Sequence, residues 1–437
     1  MLQGILILVF LLAMMALMIA RKIPTVLSLF ILAIGICVIA GIPPIGVNAE
    51  GEQIGFLQNV IQAGAVRLGD AIMTTIFAGW LGMIMEKTNI SKTMIKKGAE
   101  LGGDKTLAIA IILFIIASLL FTVIVGLGSV IMVGTIIIPI LISVGVDKET
   151  AAGTLLFSYC AGMTSSLYAV NTYSGITSTS FDTVYGFSAM LSVLSLIAGC
   201  VYIVFQIKRK GRKFAFSVPL DVMDDDEIYK IKGFSGAMAM ITPLIPILLV
   251  ALAKFPLIPA FMIAIIWACV FTSYRTSWKR TMDLLTKTFY DGFSVTAPAA
   301  TLTIAIGMLI MTVNQTPVQD SFGALVTSVT PSIPITFALF FVLLAPLCLY
   351  RGPLNLWGLG AGISALMVAM GVLPANVVMG GFVGVAVMQT LCCPTNTQNV
   401  WAAGFVGVEV FDLTKKQILF IWPVVLIGVL YAAIRFF

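Results

Sequence analysis

The sequence contains no histidine, and only 10% of its 437 residues carry a charge. Without histidine there is no imidazole proton relay, no H-E-x-x-H zinc motif and no Ser-His-Asp triad. Asp and Glu are also absent from residues 158–180 and 377–405, although both stretches contain many amides and hydroxyls. The seven cysteines lack metal-ligand spacing. We therefore predict that the protein is not an enzyme and holds no cofactor or metal, apart from a coupling ion.

Long hydrophobic runs dominate what is present. Hydrophobic residues make up 60% of the chain, far more than in a soluble globular protein. An apolar helix of about 20 residues crosses a bilayer. Runs near or above that length lie at 4–20, 24–41, 69–86, 150–180, 187–206, 236–253, 256–274, 291–313, 375–405 and 417–435. The sequence therefore predicts an all-α polytopic membrane protein.

The few basic residues predict how the chain lies in the membrane. All but four of the 25 Lys and Arg residues fall in loops that the alternation of spans places on one side. Loops rich in Lys and Arg lie in the cytoplasm. This distribution predicts both termini outside, in the cytoplasmic (inner) membrane of a prokaryote, with residues 1–20 retained as a first helix. Because the basic residues set orientation, the net charge of +6 indicates no nucleic-acid partner.

A polar stretch interrupts the apolar run near residue 390. Residues 389–399 read Gln-Thr-Leu-Cys-Cys-Pro-Thr-Asn-Thr-Gln-Asn, between apolar segments 377–387 and 402–408. In hydrocarbon an unpaired backbone group costs several kcal/mol, so a polar segment broken by Pro394 is expected to line a cavity. The alternative is that Pro394 only kinks a helix whose polar groups bond to neighbouring helices.

A related stretch occurs 225 residues earlier (396 − 171 = 225). This offset aligns three pairs of identical residues: Met163 with Met388, Asn171 with Asn396, and Thr172 with Thr397. We infer an internal duplication, with interrupted segments at equivalent places in the two halves. That combination indicates the substrate site of a secondary transporter.

The duplication predicts the domain organisation. Residues 1–207 form a first repeat, 208–235 a cytoplasmic linker and 236–437 a second repeat. Each repeat has five spans, including a discontinuous helix at about 150–180 or 375–405, and one re-entrant hairpin at about 106–146 or 332–372, with tips at 126–129 and 351–355. Because five is odd, the second repeat starts on the opposite side, and the repeats are inverted. Each hairpin has an alternative interpretation as two ordinary spans joined by a tight turn.

This arrangement resembles the ion transporter superfamily, which includes citrate-metal, gluconate and C4-dicarboxylate carriers, NhaC-type antiporters and divalent anion–sodium carriers. The residues that carry the likeness are the run 130–139 after the first tip, Asn171-Thr172 and the segment 394–397. The resemblance implies a homodimer in which a transport part moves like an elevator against a scaffold. The tips depart from the divalent anion–sodium family, which has Ser-Asn-Thr at both.

Uncharged polar residues and one arginine form the predicted site. Half-helix N-termini attract anions, and unwound carbonyls with hydroxyls coordinate cations. The predicted substrate-binding residues are Ser129, Asn171, Thr172, Arg351, Asn355, Asn396 and Thr397. The predicted cation-binding residues are Gly128, Ser174, Thr395 and Asn399. For the polar residues the alternative is hydrogen bonding between helices, and for Arg351 it is extension of the side chain to the membrane surface.

The residue types predict a cation-coupled symporter. An uncharged, amide-rich site suits a small organic anion, such as a di- or tricarboxylate or a sugar acid, that moves with Na⁺ or H⁺. A Na⁺/H⁺ antiporter of the NhaC type is an alternative, although it usually needs a buried carboxylate, and Glu86 and Asp320 lie near predicted helix ends. A passive anion channel with the same fold is the other alternative. The expected partners are the anion, the coupling cation, membrane lipid and a second copy of the chain.

Overall fold

The computed structural model describes residues 2–20, 22–47, 54–210, 233–273 and 277–437. The secondary structure of these residues is almost entirely helical. Five of the described helices are long and apolar enough to cross a membrane, or seven if each of two bent pairs counts as one span. The predicted all-α polytopic membrane protein is confirmed. Most of the predicted linker, 211–232, lies outside the described residues.

Ten α-helices lie in the described part of the first half. A π-helical turn at Leu57–Gln62 leads into the third and fourth of them. The helices are α1 Leu2–Ile19, α2 Thr25–Ile39, α3 Ala63–Arg67, α4 Gly69–Lys87, α5 Ile90–Leu101, α6 Thr106–Phe121, α7 Leu127–Ser143, α8 Lys148–Thr164, α9 Leu167–Thr177 and α10 Phe181–Lys210.

The second half repeats this order of elements. A long helix is followed by a short one, then by a helical pair, a broken helix and a long last helix. The helices are α11 Gly233–Met240, α12 Leu244–Ala251, α13 Leu257–Ser273, α14 Trp278–Val313, α15 Thr316–Val329, α16 Pro334–Leu343, α17 Leu359–Ala369, α18 Ala375–Cys392, α19 Thr397–Val406 and α20 Val410–Arg435, with a 3-10 segment at Ala345–Arg351. The inverted orientation of the halves stays a prediction.

Two helices, α5 and α15, lie in stretches that the search for apolar runs passed over. Helix α5 buries Ile90, Met94 and Ile95 on one face and exposes Lys97 and Glu100 on the other. A helix with a one-sided apolar stripe contains no continuous hydrophobic run. The charged residues between the apolar ones therefore made this stretch resemble a loop in the sequence. Helix α5 packs beside α6 and α7, and α15 packs against α1 and α17.

Some predicted spans differ in length or shape from the observed helices. Helices α1, α2 and α13 have 18, 15 and 17 residues, at or below the usual length of a span. The predicted span 236–253 is instead two helices, α11 and α12, bent by 53°. Helix α14 begins at Trp278, well before the predicted start at 291. The prediction began too late because Lys279, Arg280 and Lys287 break the hydrophobic run although the helix continues through them.

The helices form two bundles. The first bundle comprises α1–α4 and α11–α14, and its centre is the packing of α4 on α14. Glycines allow this approach: a Cβ atom on Gly79 would lie 2.7 Å from the carbonyl oxygen of Gly292, and one on Gly292 would lie 2.7 Å from the backbone nitrogen of Trp80. The ring of Trp80 packs edge-on against Phe289 at 5.1 Å.

The second bundle comprises α6–α10 and α16–α20, with the two broken helices at its centre. The 18-residue apolar core of the segment from α18 to α19 is fully buried within the protein. The thiol of Cys160 in α8 donates to the carbonyl of Val387 in α18 at 3.3 Å. The broken helices of the two halves therefore pack against each other.

Candidate functional site

A cavity of about 350 Å³ lies where the helix breaks, the hairpin tips and the first bundle meet. The first bundle contributes Pro24, Thr25, Val26, Val295, Thr296, Pro298, Ala299 and Leu302. The second bundle contributes Val125, Gly126, Leu127, Tyr159, Met163, Tyr168, Arg351, Trp357, Gln389, Thr390, Asn396, Thr397 and Gln398. The volume is near the lower end of the range of about 300 to 1,000 Å³ for small-molecule sites.

The break between α18 and α19 forms one polar wall of this cavity. Proline at 394 cannot continue the hydrogen-bond ladder of α18, and the chain resumes helical geometry at Thr397. Asn396 occupies the cap position before α19 and is buried. Its Nδ2 donates to the carbonyls of Gln389 at 2.8 Å and Thr390 at 3.3 Å, and its Oδ1 accepts from the side chain of Gln389 at 3.0 Å.

Asn396 thus holds the end of α18 to the start of α19. The first N–H groups of a helix have no partner within it. Thr397 and Gln398, the first residues of α19, line the cavity at the positive end of the helix dipole. This end of α19 suits an anionic group.

The predicted cation-binding residues of the second half, Thr395 and Asn399, flank the lining segment 396–398 and are not part of the described lining. The Nδ2 of Asn399 donates to the carbonyls of Leu391 at 2.8 Å and Cys393 at 3.1 Å. Thr395 Oγ1 lies 3.0 Å from the sulfur of Cys393. The Oδ1 of Asn399 is buried and has no hydrogen-bond partner among the described residues. It is therefore a buried acceptor whose hydrogen-bonding capacity is unused among the described residues.

The break between α8 and α9 is capped by a serine. Ser166 precedes α9, and its Oγ accepts from the N–H of Ala169 at 3.2 Å. The structural counterpart of Asn396 is therefore Ser166, five residues before the Asn171 that the sequence alignment selected. Met163 and Tyr168, on either side of this break, line the cavity.

The predicted site residues of α9 lie away from the cavity lining. The Nδ2 of Asn171 donates to Oγ1 of Thr74 in α4 at 3.2 Å. The hydroxyl of Thr172 donates to the carbonyl of Tyr168 one turn earlier at 2.9 Å, and that of Ser174 donates to Thr179 at 2.6 Å. The bond of Asn171 is the contact between helices that formed the alternative interpretation, whereas the bonds of Thr172 and Ser174 are local to α9 and the turn after it. A binding role for these residues stays a prediction that the cavity does not support.

The first hairpin tip approaches the cavity through its backbone. Gly126 has φ +92°, a conformation that favours glycine, and lines the cavity with Val125 and Leu127. Ser129 is buried in the first turn of α7 and donates to the carbonyl of Val125 at 3.0 Å. Gly128 packs on Val295 of the first bundle. The predicted residues Gly128 and Ser129 are therefore next to the lining residues of this tip and are not part of the described lining.

The second hairpin tip presents an arginine. Tyr350 and Arg351 both have left-handed backbones, with φ of +53° and +61°. The buried Asn355 braces this turn: its Nδ2 donates to the carbonyl of Cys348 at 2.8 Å, and its Oδ1 accepts from the N–H of Trp357 at 2.8 Å. Asn355 therefore shapes the tip, while Arg351 lines the cavity.

Arg351 is the one charged side chain among the described residues that line the cavity. Its Nη1 donates to the carbonyl of Trp357 at 3.1 Å. In the described part of the chain the ion pairs join other residues, such as Lys254 with Asp182 and Lys416 with Glu149, and no carboxylate pairs with Arg351. Since arginine has five N–H donors, its guanidinium retains most of its capacity to bind an anion.

Sequence reasoning missed several lining residues. Tyr159, Tyr168 and Trp357 surround the arginine, and the ring of Trp357 packs on that of Tyr168 at 5.4 Å. The wall from Val295 to Leu302 was also missed, although Pro298 inside a long helix is a signal that was present in the sequence. Aromatic residues within apolar runs give no comparable signal.

Comparison with solved structures shows the fold of membrane transporters. The YdaH transporter of Alcanivorax borkumensis aligns over 98% of this chain and 97% of its own, with 13% identity and a TM-score of 0.59. MtrF of Neisseria gonorrhoeae, whose structure is described as illuminating a class of antimetabolite efflux pumps, aligns over 94% of this chain and 95% of its own. The identity is 13% and the TM-score is 0.60. No family model and no curated protein matches the sequence. The resemblance to the citrate, gluconate and dicarboxylate carriers is not confirmed.

Proposed function

We propose that this protein is a cation-coupled secondary transporter of a small organic anion. The fold that it shares with two membrane transporters supports transport as the general activity. The cavity supports a small substrate, because it is lined by the broken helices at the centre of the second bundle, and secondary transporters bind their substrates at such breaks.

Arg351 is the observation that carries the anionic part of this proposal. A cation taken out of water without a counter-charge is costly, whereas the same cation paired with a carboxylate makes strong hydrogen bonds. The N-terminus of α19 adds a second, weaker attraction from its free N–H groups. An incoming carboxylate satisfies both groups at once.

The position of the cavity supports alternating access. Helices α2 and α14 of the first bundle line one side of it, and the tips and breaks of the second bundle line the other. A movement of the second bundle along the first would carry Arg351 and the end of α19 with the bound anion. In this mechanism the first bundle acts as the scaffold.

The coupling ion of the proposed symporter is Na⁺ or H⁺. The Oδ1 of Asn399 has no hydrogen-bond partner among the described residues, and Asn399 directly follows the lining residue Gln398. This unpaired oxygen supports a cation bound near the substrate. The runner-up, a Na⁺/H⁺ antiporter, is less well supported, because the described lining of the cavity contains no Asp or Glu.

Counterflow in proteoliposomes tests the proposal. The purified protein is reconstituted with an unlabelled organic acid inside, and uptake of the labelled acid is followed for a panel of acids, with sodium and pH gradients imposed separately. A carrier is expected to accelerate uptake when the trans side is loaded. Uptake that is insensitive to trans substrate would indicate a channel, and no uptake of any acid would overturn the proposal. Protein-free liposomes measure simple diffusion of the protonated acids.

A further inference from the structure

The two bundles contribute different kinds of side chain to the cavity lining. Positive and polar groups lie on the second bundle, where Arg351 is joined by Thr397 and Gln398 at the start of α19. The first bundle contributes mainly hydrocarbon, from Val295, Pro298 and Leu302 of α14 together with Pro24 and Val26. A bound molecule therefore meets the charged and amide groups on the second bundle, and a mainly apolar surface, named here the apolar wall, on the first.

The polar wall accommodates one negative charge. Arg351 provides the formal positive charge, and the other polar groups are neutral. Much of the remaining amide capacity is already used, because the side chains of Gln389 and Asn396 bond to each other and to the carbonyls of the helix break. A second carboxylate on the same molecule would find no cation on the described cavity wall.

The apolar wall penalises a second charge. A carboxylate buried against hydrocarbon without a partner loses its hydration and gains nothing in return. An alkyl or aryl group at the same place gains free energy in proportion to the apolar area that it buries. The aromatic rings of Tyr168 and Trp357, packed 5.4 Å apart beside the arginine, extend this apolar surface.

We infer that the transported anion is a monocarboxylate with an apolar alkyl or aryl body, and that dicarboxylates bind poorly. Its carboxylate pairs with Arg351 and the first N–H groups of α19, and its body lies against the α14 wall. This inference rests on the proposed function and narrows its substrate class. Of the anions expected from the sequence, it excludes the di- and tricarboxylates, and it replaces the polar body of a sugar acid with an apolar one.

Equilibrium binding to the purified full-length protein tests the inference without requiring transport. Two pairs of probes match carbon number and differ in charge: butanoate with succinate, and hexanoate with adipate. We expect each monocarboxylate to bind at least about tenfold more tightly than its dicarboxylate partner, with hexanoate tighter than butanoate. Titration calorimetry measures the affinities, and quenching of tryptophan fluorescence provides a second readout near Trp357.

A gain of dicarboxylate binding provides the complementary test. Leu302→Lys places a second cation on the apolar wall, and Gln398→Lys places one at another lining position if the first variant does not fold. We expect the affinity ratio of adipate to hexanoate to rise by about tenfold or more in either variant. Leu339→Lys, on a helix surface exposed outside the cavity, is the control and should leave the ratio unchanged.

The outcomes separate this inference from the proposed function. Wild-type protein that binds succinate and adipate as tightly as the monocarboxylates would overturn the inference, while counterflow of those dicarboxylates would leave transport intact. Tight binding of monocarboxylates without counterflow would support the substrate class and overturn transport. Binding of none of the four acids would overturn the inference, whatever the result of counterflow.

Discussion

At the scale of single residues, the arginine at the second tip carries most of the chemistry. Its left-handed backbone and that of Tyr350 cost about 1–2 kcal/mol each. The two hydrogen bonds of Asn355 help to hold this turn in place. A strained turn that directs an uncompensated cation into a cavity is typical of a functional site.

Replacement of Arg351 tests its role directly. Arg351→Ala should raise the apparent KM for the anion by about 10- to 100-fold, because a hydrogen bond to a charged group contributes about 1.5–3 kcal/mol. Arg351→Lys should have a smaller effect, since it keeps the charge and loses the planar fork. Concentration-dependent uptake measures KM. The control is Arg435→Ala in the last turn of α20; wild-type KM in both Arg351 variants would remove this residue from the site.

The helix caps at the two breaks permit a paired comparison. Asn396→Ala removes three hydrogen bonds and leaves buried carbonyls and the Gln389 amide without partners, whereas Ser166→Ala removes one bond to a backbone N–H. We expect a loss of about 2–4 kcal/mol of stability for Asn396→Ala and about 1 kcal/mol for Ser166→Ala. Thermal unfolding in detergent would show the larger fall in Tm for Asn396→Ala. Equal falls in Tm for the two variants would contradict the conclusion that Asn396 holds the end of α18 to the start of α19.

At the scale of helices, close packing depends on a few glycines. Gly292 lies where α14 meets the backbone of α4, so a methyl group there would collide with atoms that cannot rotate away. Gly292→Ala should therefore lower the stability by about 1–3 kcal/mol. Gly404→Ala is the matched control, because it is also a helical glycine and, among the described residues outside its own stretch of helix, no heavy atom lies within 4 Å of its added Cβ; it should be neutral or slightly stabilising. Thermal unfolding of the two variants distinguishes these outcomes.

At the scale of the whole molecule, the arrangement of the two bundles predicts how the protein moves. The built Cβ of Gly128, on the first tip, lies 3.3 Å from a methyl carbon of Val295 on α14. A disulfide between Gly128→Cys and Val295→Cys should therefore join the bundles and stop transport until it is reduced. Counterflow before and after oxidation, and again after dithiothreitol, measures this.

The control for this crosslink lies within one bundle. Gly384 of α18 lies slightly closer to Val429 of α20, since a Cβ atom added to it would be 3.0 Å from the Val429 side chain. A disulfide between Gly384→Cys and Val429→Cys should leave counterflow intact, because both helices move together in the proposed mechanism. Full activity of the oxidised 128–295 pair would contradict movement between the bundles. Oxidised wild-type protein accounts for the native cysteines.

The sequence by itself determined that the chain is a helical membrane protein and where its main break lies. Apolar runs near the thickness of a bilayer leave the chain no alternative to helices, because backbone groups in hydrocarbon must bond within their own segment. Pro394, with its cluster of amides, likewise marks the end of α18 to within two residues of the observed Cys392. Amphipathic helices such as α5 were missed, since their apolar residues lie on one face and form no continuous hydrophobic run.

Only the tertiary structure decided which polar residues face the cavity. Identity between the halves paired Asn171 with Asn396, but Ser166 and Asn396 occupy the equivalent cap positions. Ser166 accepts from the first turn of α9, whereas the side chain of Asn396 bonds back to Gln389 and Thr390 at the end of α18, so sequence identity does not follow the shared position. Asn171 and Asn355 bond to neighbouring segments, while the guanidinium of Arg351 remains available to an anion. That difference depends on how each helix is rotated against its neighbours. The spacing of residues along the sequence carries no information about this rotation.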